Sequence, residues 1–180
     1  MIVSKKLLIG AASIAVIIAL VIAIPKIAPG NPAGTSAPTE MRIEFVKEDM
    51  RRVVFGVTES IGAQRSEKLI ISNDGTAFYT LNVEGDKGAQ TKFQVASQEL
   101  KRIKALIAET GFMQIPKEQF DVRDDVTEFT RYTLTASIGS STKTVQWVDE
   151  TSSKDSVPAL LTMLKDTLLQ QAKIANDLIT

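Results

Sequence analysis

The chain contains no cysteine and no histidine. Without cysteine it can form no disulfide, no thiolate nucleophile, no iron–sulfur cluster, no cysteine-type zinc finger and no lipid-modified cysteine anchor. Without histidine it has no Ser–His–Asp triad, no type-1 copper site and no histidine zinc site. Carboxylates and lysines are what remains for catalysis. Neither sign of charge is in excess, since 21 Lys and Arg balance 21 Asp and Glu over 180 residues. A nucleic-acid partner is therefore not expected, because no single-sign field would steer one. The sequence has no G-x-x-x-x-G-K-[ST] or G-x-G-x-x-G phosphate loop, no N-x-[ST] glycosylation acceptor and no long repeat.

The zero net charge is an average over two unlike parts. Residues 1–39 hold Lys5, Lys6 and Lys26 and no acid, which leaves 18 bases against 21 acids in the other 141 residues. Within the basic part, residues 7–24 read LLIGAASIAVIIALVIAI, interrupted only by Gly10 and Ser13. A helix of this length reaches roughly 27 Å, near the hydrocarbon thickness of a bilayer. It is apolar on every side, as a spanning helix is and a soluble surface helix is not. The reading is a transmembrane signal anchor that contacts the lipid bilayer through residues 7–24. A cleaved signal peptide competes, but the apolar run exceeds the usual h-region and no clear A-x-A site follows it. A pilin-like or envelope structural subunit is a further alternative, although no acid lies early in the helix. Lys5 and Lys6 against the single Lys26 place residues 1–6 in the cytoplasm and the body outside it.

Residues 25–40 form a Pro-rich linker, with four prolines and two glycines in PKIAPGNPAGTSAPT. Residues 41–180 then read as one extracytoplasmic α+β domain, large enough to bury a core without staples. Residues 41–46 alternate, with a short helix as the competing reading. Residues 52–59 (RVVFGVTE) read as a strand and 61–66 as a loop. Residues 68–72 and 76–83 flank Asn73-Asp74-Gly75, a hairpin turn signal. A turn at 85–88 and a strand at 91–95 follow. Ser97 is placed as the cap of a helix running to Thr110 and stopped by Gly111. Residues 116–125 read as a loop, and 127–138 with 142–148 as a strand pair turned by Gly139-Ser140-Ser141. A last helix begins near Ser156 with Pro158 in its first turn. Its apolar face is expected to carry Val157, Leu161, Leu164, Leu168, Ala172, Ile174, Ala175 and Leu178. The sum is a mostly antiparallel sheet with two helices packed on one face.

The order of features carries a resemblance. Residues 71–79 (ISNDGTAFY) lead to a Gly-containing turn, then to Val95-Ala96-Ser97-Gln98-Glu99-Leu100, a helix and Gly111-Phe112. Asp121 and Asp124 precede the strand at 132–138, Lys143-Thr144-Val145 follows, and Pro158 leads the last helix. Over about residues 67–175 this resembles small extracytoplasmic domains of unknown function, lipoprotein-like in many bacteria and single-pass anchored in some archaea. The resemblance implies the layout and the location. It brings no activity, and the missing cysteine means that the apolar helix must be the anchor here.

Few residues suggest chemistry. Asp121, Asp124, Asp125 and Glu128 are the densest acidic group, and oxygen ligands in a loop suit Ca²⁺. The spacing is not that of an EF-hand, and Arg123 competes for the carboxylates. Two carboxylates on opposing walls would make a glycosidase, but neighbours in one loop do not face each other across a cleft. Ser140 and Ser141 near Lys143 form a turn before they form a nucleophile. Tyr79, Tyr132 and Trp147 fall on the inward face by alternation, whereas Phe78 falls on the opposite face and is the contact residue to test. Lys101, Arg102 and Lys104 form a basic turn diluted by Glu99 and Glu109. The expected function is a non-enzymatic binding or interaction module that meets a protein or envelope partner through its open sheet face or loops. The alternative is a calcium-binding or carboxylate-based hydrolytic enzyme using Asp121, Asp124 and Asp125.

Overall fold

Alternation along the strands decides the architecture. The computed structural model describes residues 40–83, 86 and 88–178. The anchor at 7–24, most of the linker, and part of the turn at 85–88 lie outside the described residues. Among the described residues no helix is long and apolar enough to cross a membrane. Six strands form one antiparallel sheet: β1 (Met41–Phe55), β2 (Thr58–Ser72), β3 (Thr76–Val83), β4 (Gln90–Gln94), β5 (Glu128–Ile138) and β6 (Ser141–Val148). Their spatial order is β4-β3-β2-β1-β5-β6, so β1 is central and only the β1–β5 contact joins strands distant in sequence.

One face of the sheet is apolar. Ile43 and Phe45 of β1, Leu69 and Ile71 of β2, Leu134 and Ala136 of β5, and Val145 and Trp147 of β6 are all at most 1% exposed. Helices α1 (Ser97–Ala108) and α2 (Ala159–Asp177) cover them with Ile103, Ile107, Leu161, Leu164 and Leu168. Each such side chain, taken from water, contributes about 1.5–3 kcal/mol, which offsets the entropy lost on ordering it. Phe45, Tyr132 and Trp147 meet here, with Phe45 stacked on Tyr132 at 6.1 Å and Tyr132 tilted against Trp147 at 5.7 Å. The expected inward placement of Tyr79, Tyr132 and Trp147 holds, since they are 0%, 7% and 1% exposed.

The β2–β3 hairpin turns where the sequence placed it. Gly75 has φ 85°, and a side chain there would meet the Gln94 amide at 2.7 Å, so only glycine fits. Asp74 accepts from the Thr76 backbone and hydroxyl, both at 2.9 Å, and these bonds hold its carboxyl below the ordinary range.

Four local expectations are corrected. The stretch 52–59 is not one strand. It holds a two-residue turn at Gly56-Val57, closed by the pair Phe55↔Thr58, with Gly56 at φ 62°. That turn has no Asn-Gly or Asp-Gly signal, and its flanking Val, Phe and Thr residues mask it. Residues 61–66 are strand, paired with β1 across a bulge where Asp49↔Arg65 gives way to Met50↔Ala63. Gln64 is the extra residue, and the bulge hides the alternation that would have marked a strand. Ser97 is not a cap: Ala96 takes that position with no side-chain bond, and the helix ends at Ala108 before Gly111 at φ 93°. On α2, Ile174 and Leu178 are exposed at 47% and 63%, while Thr167 and Gln171 are buried. The buried stripe follows Leu161, Leu164, Leu168, Ala172 and Ala175; Ile174 and Leu178 lie one heptad beyond the buried Thr167 and Gln171, in the last turn and at the C-cap, where the burial ends.

Candidate functional site

The site grows out of the β1–β2 hairpin. Both strands have 15 residues, longer than any other strand of the sheet. β1 keeps its second neighbour, β5, only as far as Arg51↔Glu128, and β2 keeps β3 only as far as Arg65↔Val83. The hairpin from Arg52 to Gln64 therefore projects past the sheet as a two-stranded arm. Its tip is apolar and exposed: Val54 is 61% exposed, Val57 fully so, and Ile61 44%. A two-stranded ribbon is marginal in water, so such residues are not there to stabilise the arm.

Away from the arm the face of the sheet opposite the helices is mostly polar, with Val46, Ile70 and Phe78 half-buried among its polar side chains. Thr135 and Thr144 share a hydrogen bond at 2.9 Å, as do Ser137 and Thr142. Lys68 pairs with Glu44 at 2.6 Å, and Arg131 directs Nε and Nη2 at one oxygen of Glu48, at 2.9 and 2.8 Å. At the base of the arm the polarity changes. Met50, Phe129 and Val148 are buried in a small second cluster with Val122 and Val126 packed on it. The register puts Phe129 beside Met50 and Met50 beside Ala63, and one step further Ile61 lies beside Arg52, with Val54 beyond. An apolar strip thus crosses the sheet diagonally from Val148 to the tip of the arm. A groove of about 400 Å³ opens along it, with Met50, Ile61, Val122 and Phe129 in its lining and Glu48, Arg131 and Asp121 at its polar margin.

The loop over the strip is the acidic loop of the sequence. Its residues divide by direction: Val122 and Val126 face the apolar cluster, while Asp121, Asp124 and Asp125 are exposed. Arg52, at the root of the arm, holds this loop in place. Its backbone N–H donates to the Thr127 carbonyl at 2.7 Å, its Nη1 donates to the Asp124 carbonyl at 2.6 Å, and its guanidinium pairs with Glu59 at 2.8 Å. The segment before the loop closes the edge of β6, through Phe120 N–H to Gln146 at 2.9 Å and Gln146 N–H to Glu118 at 2.8 Å. That cover removes part of an edge on which another chain could pair.

The three carboxylates proposed for calcium each have a neighbour of their own. Asp124 pairs with Lys154 at 2.9 Å, which lowers the carboxyl and raises the ammonium. Asp125 pairs with Arg123 at 3.3 Å, and Asp121 accepts from the Gln119 amide at 3.1 Å. Among the described residues no three Asp, Glu, His or Cys side chains gather to hold an ion. Phe78 stands half-buried on the polar face, between Ile70 and Lys92, with the Lys92 ammonium 6.0 Å from its ring centroid. It lies on the face expected, but away from the strip.

A second recess of about 490 Å³ lies at the same end of the sheet and is lined by Asp49, Thr130, Asp149, Thr151 and Ser152. Its chemistry is structural. Burial works against the Asp149 charge, yet the Thr151 hydroxyl at 2.6 Å and the Thr130 and Ser152 amides at 3.1 Å hold the carboxyl below its ordinary range. Those bonds fold the chain after β6 so that Ser152 and Lys154 accept and donate on the acidic loop, through Arg123 N–H at 2.9 Å and the Asp121 carbonyl at 2.8 Å.

Sequence reasoning missed the arm, the strip and the roles of Val122 and Val126. The one signal available was the apolar run at 53–57, interrupted by the isolated Gly56. No protein-family model matches the chain, and no curated protein matches it at a significant level, so the function must be read from the arm and groove themselves.

Proposed function

We propose that the chain is a single-pass membrane protein with a cytoplasmic N-terminus and an extracytoplasmic α+β domain that acts as a non-enzymatic interaction module. Its contact surface is the projecting arm with the groove at its base. One observation carries the reading: Val54, Val57 and Ile61 are exposed on a ribbon that gains nothing from them, and they continue an apolar groove with a polar margin. The apolar length of residues 7–24 and the lysines on its N-terminal side support the anchor and its direction.

A photo-crosslinking residue in place of Val57, in the full chain in its own membrane, tests the surface. The expected outcome is a discrete adduct with a protein, absent when the same residue replaces the exposed Lys101 of α1. No adduct, or the same adducts from both positions, overturns it. Retention in the membrane pellet after alkaline carbonate extraction, with the body open to protease from outside, is the outcome expected of the anchor.

A further inference from the structure

We infer that the partner of the arm is an extended segment of another protein, which adds as a third strand along the outer edge of β2 at residues 59–63. This rests on the reading of the arm as an interaction surface and names how that surface is occupied. The turn sets the hydrogen-bond phase of the arm. In a two-residue hairpin the closing pair, here Phe55↔Thr58, is hydrogen-bonded, and the pairs behind it alternate. Ser60 and Gly62 therefore bond inward to Val53 and Arg51, while Glu59, Ile61 and Ala63 turn their amides and carbonyls outward. Arg52, opposite Ile61, obeys the same phase on the other strand: its N–H points away from β2 and donates to the Thr127 carbonyl at 2.7 Å.

Among the described residues no strand or bridge pairs with that outer edge of β2. β3 reaches only Val83↔Arg65, where the chain turns back and the Asp86 N–H donates to the Val83 carbonyl at 3.0 Å. Residues 58–64 are all exposed, and a side chain at Gly62 would meet nothing within 4 Å. The other edges are guarded. Residues 118–120 cover part of β6, the Thr127 carbonyl meets β1 at Arg52, and β4 is five residues long with Lys92 at its middle. Residues 59–63 have neither lysine nor proline to turn a strand away.

Outward amides and carbonyls in series select a strand, because a strand satisfies them in register. The chain's own linker is a poor candidate, since its four prolines lack the N–H. A second copy fits poorly as well. It would set Ser60, Gly62 and Ala63 against the same small residues, and such cross-strand pairs contribute little. A segment of alternating apolar residues instead lays them beside Ile61, on the face that Ile61 shares with Val54. The ribbon then gains the third strand it lacks.

Proline at position 61 removes one outward N–H and leaves the bonds within the hairpin, whereas alanine removes only the side chain. Each substitution is placed in the full chain, in its own membrane, together with the photo-crosslinking residue in place of Val57. Ile61→Pro is expected to lower the protein adduct about ten-fold relative to Ile61→Ala, with both detergent-solubilised chains melting within a few degrees of each other. Equal yields from the two variants, or an adduct with the mass of two copies, overturn strand addition and leave the interaction surface standing. No adduct from the parent sinks both. Hydrogen exchange of the detergent-solubilised parent chain examines the edge without any proline. The amides of Glu59, Ile61 and Ala63 are expected to exchange about ten-fold faster than those of Ser60 and Gly62. One rate for all five overturns the inference even where Ile61→Pro fails to fold.

Discussion

The two halves of one hairpin do different work. From Met41 to Asp49 and from Arg65 to Ser72, β1 and β2 have neighbours on both edges and helices over one face. From Val53 to Gln64 the same strands pair only with each other, and Val54, Val57 and Ile61 face solvent. The composition of the halves is alike, with Ile, Val and Phe in both. Whether a β-branched residue serves as core or as contact surface is set by what lies above it, not by its type.

Leu164→Asp breaks the covered half with the largest effect. Leu164 is fully buried against the sheet, and an unpaired charge there costs several kcal/mol, a large share of the stability of one domain. The domain should lose its cooperative thermal transition. A soluble variant that melts as the parent does would show the helix packing to be wrong.

Acid is the next perturbation. Burial opposes the charge on Glu67, but Lys47 at 3.0 Å, the Tyr79 hydroxyl at 2.9 Å and Arg65 at 3.1 Å hold its carboxyl below the ordinary range, as their counterparts do for Asp149. A carboxyl whose folded value lies below its unfolded one contributes stability that is full above the unfolded value and lost as pH falls through the folded one. The melting temperature should therefore hold from neutral pH to about 5 and fall below about 4. Asp149→Asn should flatten part of that acid limb and cost about 1–3 kcal/mol at pH 7. An unchanged limb would show that these bonds do not set the acid response.

Hydrogen exchange sharpens the comparison within a single strand. Amides of residues 53–62 should exchange orders of magnitude faster than those of Ile43, Phe45, Leu69 and Ile71, because the arm opens locally and the sheet centre only globally. Uniform protection along β1 would mean that the arm is covered. Val57→Ser should have the smallest effect on folding, within about 0.5 kcal/mol, since Val57 touches little in the domain. The same variant should abolish partner contact. Calcium should leave the melting temperature where it is. A rise on adding Ca²⁺ would return Asp121, Asp124 and Asp125 to the site.

The legible parts of the fold were those with local signals. Asp74-Gly75 marked its hairpin, and the alternation of Tyr132, Leu134 and Ala136 gave the covered face. The arm was illegible because a bulge at Gln64 broke the period of β2 and Gly56 turned a run that otherwise reads as strand. The acidic loop drew notice for its carboxylates, whereas its part in the site comes from Val122 and Val126 between them.

Sequence alone determined which chemistries are closed to this protein, the apolar segment at 7–24, and the class of its folded body. These follow from residue counts, a continuous run and short-range periodicity, all of which are properties of neighbours along the chain. Only the tertiary structure decided that β1 and β2 outrun their partners and that Val148, Phe129, Met50, Ile61 and Val54 form one strip. That strip draws on four separate segments, and the register of strands far apart in sequence brings it together.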